Sequence, residues 1–427
     1  MAQYRIDRNQ FLANGNTIYE VVMLADSEGN LTGGGNFHGS AVDAFGRARF
    51  SEPYTLFESD NTTGESTKFD VKTVGTANSD YITAESTVNL NVSTGSGDLS
   101  RRRSKRRMAY QPGKSLQILE SFNMDTPKTN LVQRVGFYDD ENGFFLEQDG
   151  TDVYMVKRSS VTGSLVETRI AQANWNGDTL DGTVTTSTSG VVLDLTKSQI
   201  LAMDIEWLGV GSVRMGFVVD GAMIIAHTFH HANVGTTTYT TRSSLPLTYE
   251  ILNSGVTASN SVLKSICATV ISEGGFEPRG ISKTKDSAGG LSGTNVNAAW
   301  TQLVSIRLKA NTGVVVPTGI DVLNISNVDY EWGLFKNITP NTALTWVDTT
   351  DLVQTATGNN VILSWTDRVA GGYLGAKTAP ITLGDGGLEW NSQLGVFANG
   401  SFETLTLGIR SGSTSKTAAG LIKWIEV

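Results

Sequence analysis

Reactive side chains are scarce in this sequence. Its 427 residues include 1 Cys and 4 His. A single Cys excludes a disulfide framework and a cysteine-built zinc site. So few His leave little for a multi-histidine metal centre, and neither metal nor cofactor is expected. Proline is rare, at 8 residues, and only 18% of the chain is charged. Low charge beside 8 Trp, 11 Tyr and 16 Phe argues against a disordered chain. No apolar run approaches the roughly 18 residues of a membrane span, so no membrane contact is expected. The opening Met1-Ala-Gln-Tyr-Arg-Ile-Asp has no apolar signal core, so signal-directed export is not expected either.

What is abundant is glycine, at 46 residues, together with Ser and Thr. That composition suits many short strands joined by turns. Leu201, Met203, Ile205 and Trp207 alternate along one strand face. Asp220-Gly221 separates Val213–Val219 from Ala222–Phe229 and reads as a tight hairpin turn. Asn142-Gly143, Asp149-Gly150, Asn176-Gly177, Asp181-Gly182 and Asp385-Gly386 repeat the signal. Their spacing is that of an antiparallel protein and not of βαβ units. The best helix candidate is Leu195–Leu201, entered at Asp194. The expected fold is all-β: two antiparallel sandwiches of jelly-roll or concanavalin-like form, preceded by an extended N-terminal arm. Residues 1–50, with Gly33-Gly34-Gly35, read as the arm. Residues 51–273 read as a large sandwich, 274–295 as a Gly-rich linker and 296–427 as a second sandwich.

The densest chemical feature is basic. Arg101, Arg102, Arg103, Lys105, Arg106 and Arg107 crowd into one short run. The chain carries −9 overall; without that run, 27 basic residues would face 42 acidic ones, a formal −15. One reading is a charged strand face that neutralises local acids. The others are an interface for an acidic protein partner and a nucleic-acid contact. A nucleic-acid binder should be basic over a whole domain face, so nucleic acid is the least favoured. On a strand, alternate arginines face opposite ways, so at most half of the run can serve one surface.

Asp204-Ile-Glu206-Trp is the most enzyme-like stretch. Laminarinase-like retaining glycosidases carry Glu-x-Asp-x-Glu on such a strand, with the two Glu carboxyls about 5 Å apart. Here the first position is Ala202, so the nucleophile is missing. Asp204 and Glu206 read instead as solvent-facing strand residues, with a glycan-facing role as the sharper alternative. His227, His230 and His231 do not converge if the strand continues, and His38 is isolated. Gly113-Lys-Ser resembles the end of a phosphate-binding loop, but the required earlier Gly is Met108. Asp139-Asp-Glu-Asn142 offers oxygen ligands for Ca²⁺ but reads as a solvated hairpin tip. Cys267 sits in an apolar strand pattern and reads as a buried thiol. Trp332, Trp346, Trp365 and Trp390 could provide sugar-stacking platforms, although each also suits a core.

Several longer segments resemble a known group. They include Tyr19-Glu-Val-Val-Met-Leu, Arg49-Phe-Ser-Glu-Pro-Tyr-Thr-Leu-Phe and Tyr110-Gln-Pro-Gly-Lys-Ser. Gln133-Arg-Val-Gly-Phe-Tyr-Asp-Asp-Glu-Asn-Gly-Phe-Phe-Leu-Glu-Gln-Asp-Gly, Asp194-Leu-Thr-Lys-Ser-Gln-Ile-Leu and Asp204-Ile-Glu-Trp-Leu-Gly-Val-Gly continue it. Together they cover most of residues 1–275. The chain resembles virion structural proteins of tailed bacteriophages of marine and cyanophage type, tail-fibre-like or capsid-decoration-like. The resemblance implies a non-enzymatic protein with no catalytic residue. It implies other virion proteins as partners, a homo-oligomer such as a trimer, and assembly into a virion in the host cytoplasm. A host surface glycan is the alternative partner.

Overall fold

The computed structural model describes residues 52–183, 185–277, 279–375, 392–413 and 415–427, with the backbone alone of 381–383. The expected arm, His38, Trp390 and the Asp385-Gly386 turn lie outside the described residues.

The first sandwich is built from β1 (Tyr54–Ser59), β2 (Phe69–Val74), β3 (Asn78–Ile82), β4 (Thr87–Val92), β5 (Leu99–Ser104), β6 (Ser115–Asn123), β7 (Leu131–Tyr138), β8 (Gly143–Asp149), β9 (Asp152–Ser159), β10 (Val166–Ala171), β11 (Gln199–Ile205), β12 (Val213–Val219), β13 (Ala222–Phe229), β14 (Leu247–Asn253) and β15 (Ser261–Glu273). One sheet runs β13-β12-β11-β6-β15-β4-β3, with β1 added along β15. The facing sheet runs β10-β9-β8-β7-β14-β5-β2. Neighbours pair antiparallel. The alternation read in the sequence is what closes this sandwich. Leu116, Ile118 and Phe122 of β6 and Leu201, Met203 and Ile205 of β11 face Val135, Phe137, Tyr249 and Ile251 of the other sheet in one buried cluster. Each such side chain contributes about 1.5–3 kcal/mol when fully buried.

The second sandwich uses β16 (Ile281–Asp286), β17 (Thr294–Val296), β18 (Thr301–Leu308), β19 (Val315–Asn324), β20 (Tyr330–Lys336), β21 (Thr339–Pro340), β22 (Val347–Asp348), β23 (Val353–Thr357), β24 (Ile362–Ser364), β25 (Asp367–Leu374), β26 (Ile381–Leu383), β27 (Thr404–Ser411) and β28 (Lys416–Glu426). One sheet runs β16-β28-β19-β26, with β17 along β28, and the other β22-β23-β18-β27-β20-β25. Leu303, Trp332, Leu334, Leu407, Ile422 and Trp424 fill the space between them.

The expected hairpin at Asp220-Gly221 forms. Val219 pairs with Ala222, and both turn residues take positive φ, 51° and 79°. Other expectations are corrected. Leu195–Leu201 is not a helix. The Asp194 carboxylate accepts a hydrogen bond from the Thr196 N–H at 3.0 Å, closing a local turn that feeds straight into β11. The described residues contain short 3₁₀ turns and no α-helix. The expected linker 274–295 contains β16, which pairs with β28 along its whole length. An exposed edge strand needs little apolar patterning and so reads like a linker. Cys267 is exposed. The β6–β15 register shifts between Ser265 and Ala268, and this bulge turns Cys267 away from the core.

Candidate functional site

The basic run lies on β5 and the turn that follows it. Arg101 and Arg103 pair across to Glu250 and Thr248 on one side and to Lys72 and Asp70 on the other. Both point away from the sandwich core, whereas Arg102 points into it. Arg102 is 1% exposed. Its guanidinium sits 4.4 Å from the Phe69 ring centre and donates to Ser265 Oγ at 2.9 Å.

The outward arginines meet acids supplied by the chain itself. Arg101 binds Asp140 at 2.8 Å and also Glu250, and Arg103 binds Asp140 at 3.2 Å. Glu250 passes the alternation on to Arg134 at 2.8 Å, and Arg134 to Glu147 at 2.6 Å. Arg169 then joins Glu147 to Asp149. Alternating charge therefore crosses the outer face of the sheet from β5 to β10. Burial alone would push Glu250 up, but the Arg101 and Arg134 guanidiniums outweigh it and hold the carboxyl below its ordinary value. Asp140 is held down to about 2: burial opposes ionisation, and the Arg103 and Arg101 charges overcome it.

Arg107 is the deepest ion pair of the run. Its Nη2 lies 2.8 Å from Asp139 Oδ2, and both side chains are buried. Asp139 is fixed in turn by the Glu141 and Asn142 N–H groups, each 2.8 Å from Oδ1. At the expected solvated hairpin tip Asp140 and Glu141 are exposed, whereas Asp139 is a buried counter-ion for the basic run. Consecutive acids at a hairpin look solvent-bound in sequence because their partners come from distant strands.

The end of the run also joins the two sandwiches. Arg107 Nε donates to Asn311 Oδ1 at 2.8 Å, and Gln393 Nε2 donates to the Arg107 carbonyl at 2.9 Å. The Val396 N–H donates to the Lys105 carbonyl at 2.7 Å, and the Lys105 ammonium lies 5.8 Å from the Phe397 ring centre. Arg106 sits in the field of Glu403. Beside these polar contacts, Ala109, Val314 and Val316 form a small apolar seam against Phe276.

Asp204 and Glu206 are not solvent-facing. Both are fully buried. Asp204 forms an ion pair with Arg214, its partner in the β11–β12 register, and Glu206 accepts from the Tyr110 hydroxyl. Their neighbours come from β12 and from the segment between β5 and β6, so an isolated strand reading leaves them exposed. His227 and His231 are buried, and desolvation lowers each to about 4; His230 is exposed. His231 stacks on Tyr239 at 3.9 Å. Among the described residues no group of three His, Cys, Asp or Glu could hold a metal ion.

The second sandwich carries an open cleft of about 670 Å³, lined by Asp329, Glu331, Tyr373, Arg410 and Ser411 among others. Tyr373 is 79% exposed. Glu331 receives Arg368 Nη1 at 2.9 Å and Arg410 Nη2 at 2.6 Å. Burial opposes ionisation of Glu331, and the hydrogen bonds from Arg410 and Arg368 overcome it, holding the carboxyl below its ordinary value. Sequence reading missed this group, although the alternation of Tyr330–Lys336 already separates Glu331 from the inward Trp332. Of the expected tryptophan platforms, Trp332 is core. Trp346 is half-buried under the Arg307 guanidinium at 4.3 Å, and Trp365 is 38% exposed.

No family model matches the sequence, and no curated protein matches it. Solved structures do resemble the chain. A Bacillus licheniformis β-glucanase is 11% identical at a TM-score of 0.32, covering 51% of this chain and 97% of that one. A legume lectin-like domain from Entamoeba histolytica is 10% identical at 0.28, covering 47% and 89%. The CBM2 module of the Lactobacillus casei BL23 phage J-1 evolved Dit is 7% identical at 0.35, covering 53% and 98%. These are likenesses of fold.

Proposed function

We propose that the protein is a non-enzymatic structural component of a tailed-phage virion that works by assembly with other virion proteins. What carries this reading is the fate of the chain's reactive side chains. The basic run is engaged by internal acids and by the second sandwich, and Asp204 and Glu206 are buried on Arg214 and Tyr110. The side chains that would suit hydrolysis or nucleic-acid binding are spent on building a double sandwich. The resemblance of residues 1–275 to phage virion proteins supports the same reading. Residues 1–50 serve as the anchor. Deleting them is expected to leave a folded protein that no longer enters particles, scored by particle composition after infection. Normal incorporation would overturn the anchoring role.

A second reading is favoured by the cleft at Glu331 and Tyr373. A highly exposed phenol ring beside a carboxylate gripped by two guanidiniums suits a sugar, whose apolar ring face stacks and whose hydroxyls take paired hydrogen bonds. In this reading the virion component also contacts a host glycan. Tyr373→Ala in the full chain is expected to abolish glycan-array binding without moving the unfolding midpoint, because the side chain is almost wholly in solvent.

A further inference from the structure

β10 pairs with β9 on one side and, among the described residues, with no strand on the other. Such an edge is a template for another chain, and proteins usually blunt it. β13, β16 and β25 also lie at sheet edges, and each is blunted. Along β13 the Gly177 and Asp178 N–H groups donate to the Ala226 and Ile225 carbonyls at 2.9 Å. β16 carries Lys283 and Lys285, and β25 has a bulge between Arg368 and Ala370. β10 has none of these devices. Its six residues pair with β9 without a shift of register, and it contains no Gly, Pro or Lys. Leu165 and Val166 at its start are 55% and 46% exposed.

The backbone groups that this edge offers follow from the registers. The two-residue turn Gly150-Thr151 makes Asp149 and Asp152 a hydrogen-bonded pair. Counted across β9 to β10, this turns the N–H and C=O of Glu167, Arg169 and Ala171 outward. The Ile170 carbonyl, which accepts from the Trp175 indole at 3.1 Å, faces β9 and is not needed at the edge.

The side chains of this edge are complementary to themselves. Ile170 packs on the core, so Val166 and Thr168 share its inner face. Glu167 and Arg169 lie on the outer face, held by Arg158 and by Glu147 and Asp149. Two antiparallel copies keep like faces together only if each residue opposes one an even number of positions away. A two-fold axis at Glu167 or at Arg169 would set like charges against each other. An axis at Thr168 sets Glu167 against Arg169, Val166 against Ile170 and Thr168 against itself. It also brings the outward backbone groups of Glu167 and Arg169 face to face.

We propose that a second copy of this chain adds to β10 about a two-fold axis at Thr168, joining two seven-stranded sheets into one. The alternating charge that crosses the outer face from β5 to β10 then continues into the second copy through Arg169 and Glu167. The contact gives the assembly reading a defined self-surface on the first sandwich and does not involve the cleft at Glu331. One strand pair buries less than the roughly 800 Å² per partner of a standard interface, so the dimer is weak, with a Kd of about 10 μM.

The test is sedimentation velocity of the purified full chain from about 1 to 100 μM. Salt of about 0.15 M, with a Debye length of about 8 Å, screens the −9 charge of each copy. The chain is expected to pass from monomer to dimer across that range. Thr168→Lys and Thr168→Glu each place like charges on the axis and should weaken the dimer about tenfold or more. An equimolar mixture of the two variants should restore it. Thr168 is exposed, so the thermal midpoints should not move, and Val166→Lys carries the test if the Thr168 variants unfold. A monomer at every concentration overturns the proposal and leaves the edge to a different partner. A dimer indifferent to Thr168→Lys, or a mixture that fails to restore it, overturns the two-fold register. Neither failure touches the incorporation test of residues 1–50, which is scored on particles.

Discussion

Replacing Arg107 by alanine is expected to destabilise the protein by about 3–5 kcal/mol, read as a lower midpoint in urea unfolding. The pair it forms with Asp139 is buried on both sides. Without the guanidinium, Asp139 loses its closest cation among the described residues and keeps Arg242 at 3.2 Å. A buried carboxylate left short of charge costs far more than an exposed pair is worth. Asn311 loses its donor in the same variant, so the contact between the sandwiches weakens as well. A double change, Arg107→Met with Asp139→Asn, should recover part of the loss, because it removes both charges while the new side-chain amide oxygen still accepts from the Glu141 and Asn142 N–H groups. Equal destabilisation of the single and double variants would show that the charge pair is not what matters.

The pH dependence of this network has a definite sign. Asp139 and Glu250 are held below their ordinary values of 3.8 and 4.5, in each case because neighbouring guanidiniums outweigh burial. The stability they contribute is therefore present above those values and is lost as pH falls through the lower folded ones. Acid unfolding should begin below about pH 4.5 and should come earlier in Arg107→Ala.

Glu120→Gln is expected to act in the opposite direction and to stabilise the protein at neutral pH. Glu120 lies on the inner face of β6, between Leu201 and Ala268 in the register, and is fully buried. Neither carboxyl oxygen has a hydrogen-bond partner among the described residues. Desolvation raises its folded pKa well above 4.5. A raised carboxyl favours folding fully below the unfolded value, and the advantage drains away as pH rises towards the folded one. The slope approaches about 1.4 kcal/mol per pH unit between the unfolded and the folded value. Removing the titration should abolish that slope. Urea midpoints of the two proteins should converge near pH 4 and separate progressively to pH 8. A constant offset across that range would mean that shape, and not charge, sets the difference.

Much of the architecture was legible in advance. Alternation at Leu201, Met203 and Ile205 and the Asp220-Gly221 turn require strands and a hairpin whatever surrounds them, because side-chain period and positive φ are local properties. Edge strands and bulges were not legible. β16 carries polar residues on an exposed edge, and Cys267 changes face through one extra residue, neither of which leaves a periodic trace.

The site was less legible than the fold. Sequence located the basic run and the Asp139-Asp140 cluster and established that alternate arginines must diverge. It could not pair them. Arg101 and Asp140 stand 39 residues apart, and Arg101 and Glu250 stand 149 apart. Likewise Asp204 and Glu206 were read as sharing one face of an extended segment, but Arg214 and Tyr110 decide that both are buried. The sequence by itself thus determined an all-β chain, poor in reactive groups, with one concentrated block of positive charge. Only the tertiary structure decided that the block is internal. Coulomb energy and desolvation depend on distances through space, and strand pairing alone sets those distances between residues far apart along the chain.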